Sequence, residues 1–163
     1  MRVGIGYDVH QLVENETLII GGVKITSEYG LKGHSDADVL THALMDALLG
    51  AAGKGDIGRH FPDTDVKYKG ISSLVLLSKV KELLTKEGFN IVNIDMIIMA
   101  EEPKMSPFYK DITNNYSNIL DISRENINIK ATTTEKLGFI GKKEGIAAQS
   151  VVLIQKGGKI NDS

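Results

Sequence analysis

The apolar positions along this chain change period several times, and each change marks an element. Arg2 to Asp8, Leu18 to Ile20 and Val23 to Ile25 read as strands, and the turn pair Gly21-Gly22 between the last two predicts a hairpin. From Ala37 to Ala52 the period lengthens. Val39, Leu40, Ala43, Leu44, Ala47 and Leu48 recur at helical spacing, with Ser35 or Asp36 placed to cap the first turn. A second helix is predicted over Ser73 to Lys86, where Leu76, Val80 and Leu83 form a stripe closed by Gly88. Asn93 to Ala100 then reads as a central strand, Pro107 to Leu120 as a third helix, Asn126 to Thr132 as a strand and Ile146 to Gln155 as the last strand. The end, from Gly157 to Ser163, reads as a flexible tail. Helices segregated from strands in this order predict an α+β fold, a mixed β-sheet with helices packed on one face. The other sheet face then needs a surface to bury it, which points to oligomerisation.

Composition narrows the chemistry. With 163 residues, 42% of them hydrophobic and 25% charged, the chain can bury one core, so residues 1–156 read as a single domain. A net charge of -2 argues against a nucleic-acid partner, which calls for a basic surface. Cysteine is absent, so any metal must be held by histidine and carboxylate. The apolar run Ile94-Asp95-Met96-Ile97-Ile98-Met99-Ala100 is too short and too interrupted to span a membrane, and the start turns polar by Asp8, so a cytoplasmic protein is expected.

The densest chemistry lies at the end of the first strand. Asp8 and His10 are two residues apart, so on a strand they share a face and can grip one metal ion together. His42, on the first predicted helix, is the third candidate; three protein ligands with an open fourth position is the usual form of a catalytic zinc site. A hydrogen-bonded core histidine is the competing reading of His42. Asp38 and Asp46 lie at i−4 and i+4 from it, where carboxylates can orient a ligand imidazole. Three loops look suited to phosphate. Lys32 to Asp36 precedes a helix N-terminus, Gly55 to Asp65 follows that helix, and Ala131 to Lys136 offers hydroxyls beside Glu135, a hard ligand that suits Mg²⁺. His60 is expected to be an ordinary solvent-facing loop residue.

In one register, Gly6-Tyr7-Asp8-Val9-His10, His34-Ser35-Asp36-Ala37-Asp38-Val39, His42, Gly55-Asp56-Ile57-Gly58, Phe61-Pro62-Asp63-Thr64-Asp65, Pro103-Lys104-Met105 and Lys130-Ala131-Thr132-Thr133-Thr134-Glu135-Lys136-Leu137-Gly138-Phe139 resemble the 2-C-methyl-D-erythritol 2,4-cyclodiphosphate synthase family. The resemblance runs to about Leu153. It implies a homotrimeric lyase-type cyclase of the non-mevalonate isoprenoid route, with active sites between subunits. The substrate implied is 4-diphosphocytidyl-2-C-methyl-D-erythritol 2-phosphate, cyclised with release of CMP. By resemblance, Asp8, His10 and His42 hold zinc or another divalent transition metal, and Glu135 shares Mg²⁺ or Mn²⁺ with the diphosphate.

His34 and Thr133 are the implied catalytic residues, contacting phosphate together with Ser35. Asp56, Ile57, Gly58 and Asp63 would bracket the methylerythritol, and Phe61 and Asp65 are further implied substrate contacts. Ala100, Pro103, Lys104, Met105, Ala131 and Thr132 of the neighbouring chain would hold the cytidine, and Ser106, Thr134, Phe139 and Lys142 complete the implied contacts. Many members have Arg where this chain has Lys142 and an acidic residue where it has Gln149. Both lie near a threefold cavity that can hold an isoprenoid diphosphate in the family; with no carboxylate expected beside Lys142, an isoprenoid diphosphate or pyrophosphate is still expected there, held by lysine point charges. Two other functions would use the same residues. A metal-dependent phosphohydrolase would release inorganic phosphate, and a non-catalytic trimeric binder would take up an isoprenoid diphosphate without turnover.

Overall fold

A computed structural model describes residues 1–62 and 64–157, so the role expected of Asp63 and the tail beyond Gly157 lie outside the described residues. Gly157 itself is tied down, donating to the Gly88 carbonyl at 2.8 Å. The strands are β1 (Arg2–Glu14), β2 (Leu18–Ile20), β3 (Val23–Ile25), β4 (Tyr29–Lys32), β5 (Phe89–Met99), β6 (Ile127–Thr132) and β7 (Gly145–Lys156). The helices are α1 (Val39–Ala52), α2 (Ile57–His60), α3 (Ser73–Lys86), α4 (Tyr109–Leu120) and α5 (Gly138–Gly141). Five strands form one sheet in the order β4-β1-β7-β5-β6, and β2 and β3 form the predicted hairpin. Only β5 and β6 pair in parallel, so the sheet is mixed.

The sequence reading stops β1 at Asp8, but the strand continues to Glu14 because its second half changes partner. Arg2 to Gln11 pair with β7, and Gln11 to Glu14 pair with β4. The sequence reading also misses β4 and the single-turn helix α2, and it starts β5 four residues late and α4 two residues early. A 3₁₀ turn over Ser106–Phe108 holds Pro107 outside the helix that follows.

The cap of α1 is corrected as well. Ala37 has a left-handed φ of 56°, which keeps it out of the helix, and Asp38 is the capping residue, accepting from the Thr41 N–H at 3.1 Å. The Asp38 carboxylate also accepts from the Gly21 and Gly22 N–H groups at 2.9 and 2.7 Å and from the Thr41 hydroxyl at 2.7 Å. Asp38 is fully buried, and burial raises its carboxyl pKa against the pull of these bonds from Thr41 and Gly21. Thr41 spends its hydrogen on Asp38, so the Tyr116 hydroxyl, 2.8 Å away, donates to Thr41. One carboxylate thus pins the hairpin turn, the start of α1 and, through Thr41, α4.

The helix α1 lies directly over β1, and two glycines make this approach possible. A Cβ at Gly4 would sit 1.9 Å from the Ala47 carbonyl oxygen, and one at Gly6 would sit 2.0 Å from that of Ala43. Period-2 alternation then sends the intervening residues to the opposite face. Val3, Ile5, Tyr7 and Val9 stand there 68%, 63%, 53% and 44% exposed, beside Val151 of β7. The helix-covered face holds the core, with Leu40, Leu44, Leu48, Ile94, Met96, Ile98 and Ile154 among its buried members.

Candidate active site

Alternation that leaves Gly4 and Gly6 under α1 puts Asp8 and His10 on the same face, further along the strand. The helix contributes His42 from its first turns. The Asp8 Oδ2 lies 3.0 Å from His10 Nε2 and 3.1 Å from His42 Nδ1, and the two imidazole nitrogens are 3.1 Å apart. Tetrahedral ligation with bonds of about 2.0–2.1 Å sets ligand atoms roughly 3.3–3.4 Å apart, so this triangle fits a first-row divalent ion after a small expansion. The donor set, two imidazoles and a carboxylate without thiolate, is one that zinc accepts. Among the described residues this is the only cluster of three or more such groups.

The backbone orients the His10 ring toward the other two groups. His10 Nδ1 lies 3.0 Å from the Lys32 carbonyl, which can only accept, so this nitrogen carries the hydrogen and Nε2 is left facing the triad. Burial opposes ionisation of Asp8, but the imidazoles of His10 and His42 beside it outweigh this and hold the carboxyl well below the usual carboxylate range. Burial would also lower the His10 pKa, yet the adjacent Asp8 carboxylate raises it, so a metal ion competes with a proton at this position.

The orienting role expected of Asp38 and Asp46 is not what the structure shows. Asp38 is committed to the hairpin and helix cap described above. Asp46 accepts the Ile57 N–H at 2.8 Å and so fastens α2 to α1; burial raises its pKa, opposed by that bond and aided by the Asp56 and Asp8 charges. The groups that touch the outer nitrogen of His42 are hydroxyls, Ser73 Oγ at 3.0 Å and Ser35 Oγ at 3.1 Å. Neither i±4 spacing nor composition points to Ser73, which arrives from α3.

The triad opens into a cavity of about 230 Å³ that also takes in His34, Ser35, Ile57, Gly58 and Phe61. Tyr68 and Leu76, not anticipated from sequence, line it too. His34 Nε2 is buried without a hydrogen-bond partner among the described residues, an orphaned polar atom in this wall. Asp56 caps α2, accepting from Arg59 N–H at 3.1 Å. Asp65 is paired with Lys67 at 2.7 Å and lines neither this cavity nor the next. His60 is half-buried rather than solvent-facing, because its Nε2 bonds the Lys54 carbonyl at 3.0 Å.

A second cavity, of about 280 Å³, is separate. Ala100, Pro103, Lys104, Met105, Ser106, Ala131, Thr132 and Thr133 line it, joined by Glu101 and Tyr109. Glu101 was missed from sequence; its Oε1 accepts the Thr134 and Lys136 N–H groups at 3.0 and 3.3 Å and so shapes the threonine loop. Glu135 in this loop is exposed with a left-handed φ of 53°, and it does not join the metal triad. Phe139 is 41% exposed. Lys142 lines a third hollow, of about 410 Å³, together with Glu28, Glu102 and Lys143, and Glu102 is paired there with Lys143 at 2.8 Å.

The model of the YgbB family matches residues 1–155. The chain is 64% identical over 163 residues to the 2-C-methyl-D-erythritol 2,4-cyclodiphosphate synthase of Halothermothrix orenii, covering 99% of each. It is 60% identical over 156 residues to the protein of that name from Clostridium tetani, covering 96% of this chain and 99% of the other. Among solved structures, the bifunctional IspDF of Campylobacter jejuni superposes with a TM-score of 0.92 at 48% identity, over 96% of this chain. The chain spans only 42% of that longer protein. The IspF of Plasmodium falciparum, solved as a CDP complex, superposes with a TM-score of 0.84 at 36% identity, over 96% of this chain and 97% of the other. A family pattern that runs through β1, α1 and the threonine loop, together with relatives this similar along nearly their whole length, makes the chain a member of the YgbB family.

Proposed function

We infer that this chain converts 4-diphosphocytidyl-2-C-methyl-D-erythritol 2-phosphate to 2-C-methyl-D-erythritol 2,4-cyclodiphosphate and CMP, a step of the non-mevalonate route to isoprenoid precursors. The observation that carries this reading is the convergence of Asp8, His10 and His42 to within 3.1 Å at a cavity that also holds His34 and Ser35. The family and the names of its close relatives support it. An oxygen of the substrate's 2-phosphate forms a bond to the β-phosphorus, while the bond from that phosphorus to the bridging oxygen breaks and leaves with CMP. No water enters, and no protein nucleophile is required.

Zinc, held by Asp8, His10 and His42, would supply Lewis-acid stabilisation of the phosphate charge. The chain's own part is positioning and charge. His34 Nε2 is the orphaned polar group that a phosphate oxygen would satisfy, and the Ser35 hydroxyl lies beside it in the same wall. Ile57, Gly58 and Phe61 shape the space for the methylerythritol, with Asp56 at the start of the same short helix. The second cavity would take the cytidine, with Thr133 reaching the phosphates and Glu135 holding Mg²⁺ or Mn²⁺ between it and the diphosphate.

The two cavities share no lining residue, which supports a site completed by a neighbouring subunit. The exposed apolar stripe of β1 supports the homotrimer in which they would meet. Sedimentation should then give the mass of three chains; the mass of one would remove this reading. An isoprenoid diphosphate beside Lys142 on the threefold axis belongs to the same proposal; the hollow that Lys142 lines also carries Lys143, Glu28 and Glu102. A cytoplasmic location belongs to the same proposal, and no helix among the described residues is long and apolar enough to cross a membrane.

The direct test supplies the cytidine substrate with Mg²⁺ and follows both phosphorus products. CMP and a cyclic diphosphate should form together without inorganic phosphate, and Glu135→Gln should raise the Mg²⁺ concentration needed. Release of inorganic phosphate instead would identify a phosphohydrolase. Binding without turnover would identify a carrier.

A further inference from the structure

We propose that Asp36 and Ser73 form a directed hydrogen-bond relay that fixes which nitrogen of His42 faces the metal, making both of them positioning residues. The inference rests on the metal reading of the triad. Ser73 opens α3, is fully buried, and stands 3.0 Å from His42 Nε2. Its hydroxyl makes a short hydrogen bond to Asp36 Oδ1, and its backbone N–H donates to Asp36 Oδ2 at 2.9 Å. One carboxylate therefore grips both donors of a single residue.

The direction of the relay follows from counting hydrogens. A serine hydroxyl carries one hydrogen, and a carboxylate offers only acceptors. Ser73 gives that hydrogen to Asp36, so toward His42 it presents only lone pairs. His42 Nε2 must then be the protonated nitrogen, donating to Ser73, and the lone pair is left on Nδ1. Nδ1 is the atom that lies 3.1 Å from both Asp8 Oδ2 and His10 Nε2. The sequence of donors runs from His42 to Ser73 to Asp36, and its outcome is an imidazole with its free electron pair aimed at the ion.

The second hydroxyl shows why this direction matters. Ser35 Oγ is 3.1 Å from the same His42 Nε2 and takes the Ala37 N–H at 3.4 Å. A hydrogen donated from Ser35 to Nε2 would favour the opposite tautomer, with a proton on Nδ1 where the metal must bind. The Asp36–Ser73 pair opposes that tautomer. It also leaves the Ser35 hydrogen free for a ligand in the cavity. Asp36 is not needed merely to cap α3, because Ser72 does so, accepting the Leu74 N–H at 3.3 Å.

The test measures zinc affinity by chelator competition, above the imidazole titration range, in the wild-type, Ser73→Ala and Asp36→Asn proteins. Removing an outer partner of a metal-bound histidine costs about 10–100-fold in affinity, and Ser73→Ala should fall in that range. Asp36→Asn should cost at least as much. Its amide can donate to Ser73 and turn the Ser73 hydrogen toward His42, reversing the relay. Nitrogen-15 imidazole spectra of the zinc-loaded protein supply a readout that a structural role would not move. The His42 Nε2 proton should exchange slowly in wild type and quickly in Ser73→Ala. An affinity within about twofold of wild type in Ser73→Ala, or an unchanged proton exchange rate, would overturn the relay while leaving the metal reading intact. Failure of the wild-type protein itself to bind zinc would overturn both.

Discussion

His42→Ala should yield a folded protein that has lost its bound zinc and releases CMP only at background rate. The substitution removes one of three ligand atoms and leaves Asp8 and His10, which cannot enclose an ion by themselves. Lewis-acid stabilisation of phosphate charge is worth several kcal/mol, and each 1.4 kcal/mol is about tenfold in rate. The loss in turnover should therefore reach about 10²–10³-fold or more, beyond the effect of Ser73→Ala. The fold should survive, since the pinning of α1 runs through Asp38 and Thr41 and not through the imidazole. Metal analysis of the purified variant beside the CMP assay checks this; a full complement of zinc in His42→Ala would remove the triad assignment.

Gly6→Ala should damage stability and metal binding together, although it touches no ligand. Its Cβ would sit 2.0 Å from the Ala43 carbonyl oxygen and 2.7 Å from the Ala47 nitrogen, both backbone atoms of α1 that cannot turn aside. Either the helix lifts or the strand buckles. Overpacking typically costs about 1–3 kcal/mol, and a clash with backbone belongs at or above the upper end. At roughly 2–4 °C per kcal/mol, melting should fall by about 6 °C or more. His42 immediately precedes Ala43, so displacement of the helix also separates His42 from Asp8 and His10, and zinc affinity should drop with stability. Gly50→Ala is the matching control on the same helix. Its Cβ would find nothing nearer than the Ile5 carbonyl at 3.9 Å, and alanine favours a helix over glycine by up to about 1 kcal/mol. Melting temperature and zinc affinity unchanged in Gly6→Ala would show that the close approach is not constraining.

Much of this architecture is legible in sequence where one periodicity dominates. The Leu40-Leu44-Leu48 repeat marks α1, and the Gly21-Gly22 pair marks the hairpin. The shared face of Asp8 and His10 follows from strand alternation alone. Illegible features depend on partners distant in the chain. The strand β4 has four residues and gains its identity from pairing with Gln11 to Glu14. Asp38 reads as a helix-face carboxylate until the hairpin turn, 16 and 17 residues away, arrives to claim it. Ser73 and Glu101 act on His42 and the threonine loop across separations of 31 and 33–35 residues, which no local pattern reports. The assignment of Thr133, Glu135 and the cytidine pocket rests on family resemblance, because a loop's hydroxyls and carboxylates look alike whether or not they meet a ligand.

The alternation of β1 also guards against mispairing. Each strand residue belongs to one of two faces, so a slip of one position against β7 would exchange them all. Val3, Ile5 and Tyr7 would then turn under α1, where even a single methyl at Gly4 or Gly6 collides with helix backbone, while Asp8 and His10 would turn away from His42. The slipped arrangement could neither seat the helix nor assemble the triad. The two glycines thus act as a steric proofreading device, because α1 cannot close on a strand slipped by one position against β7.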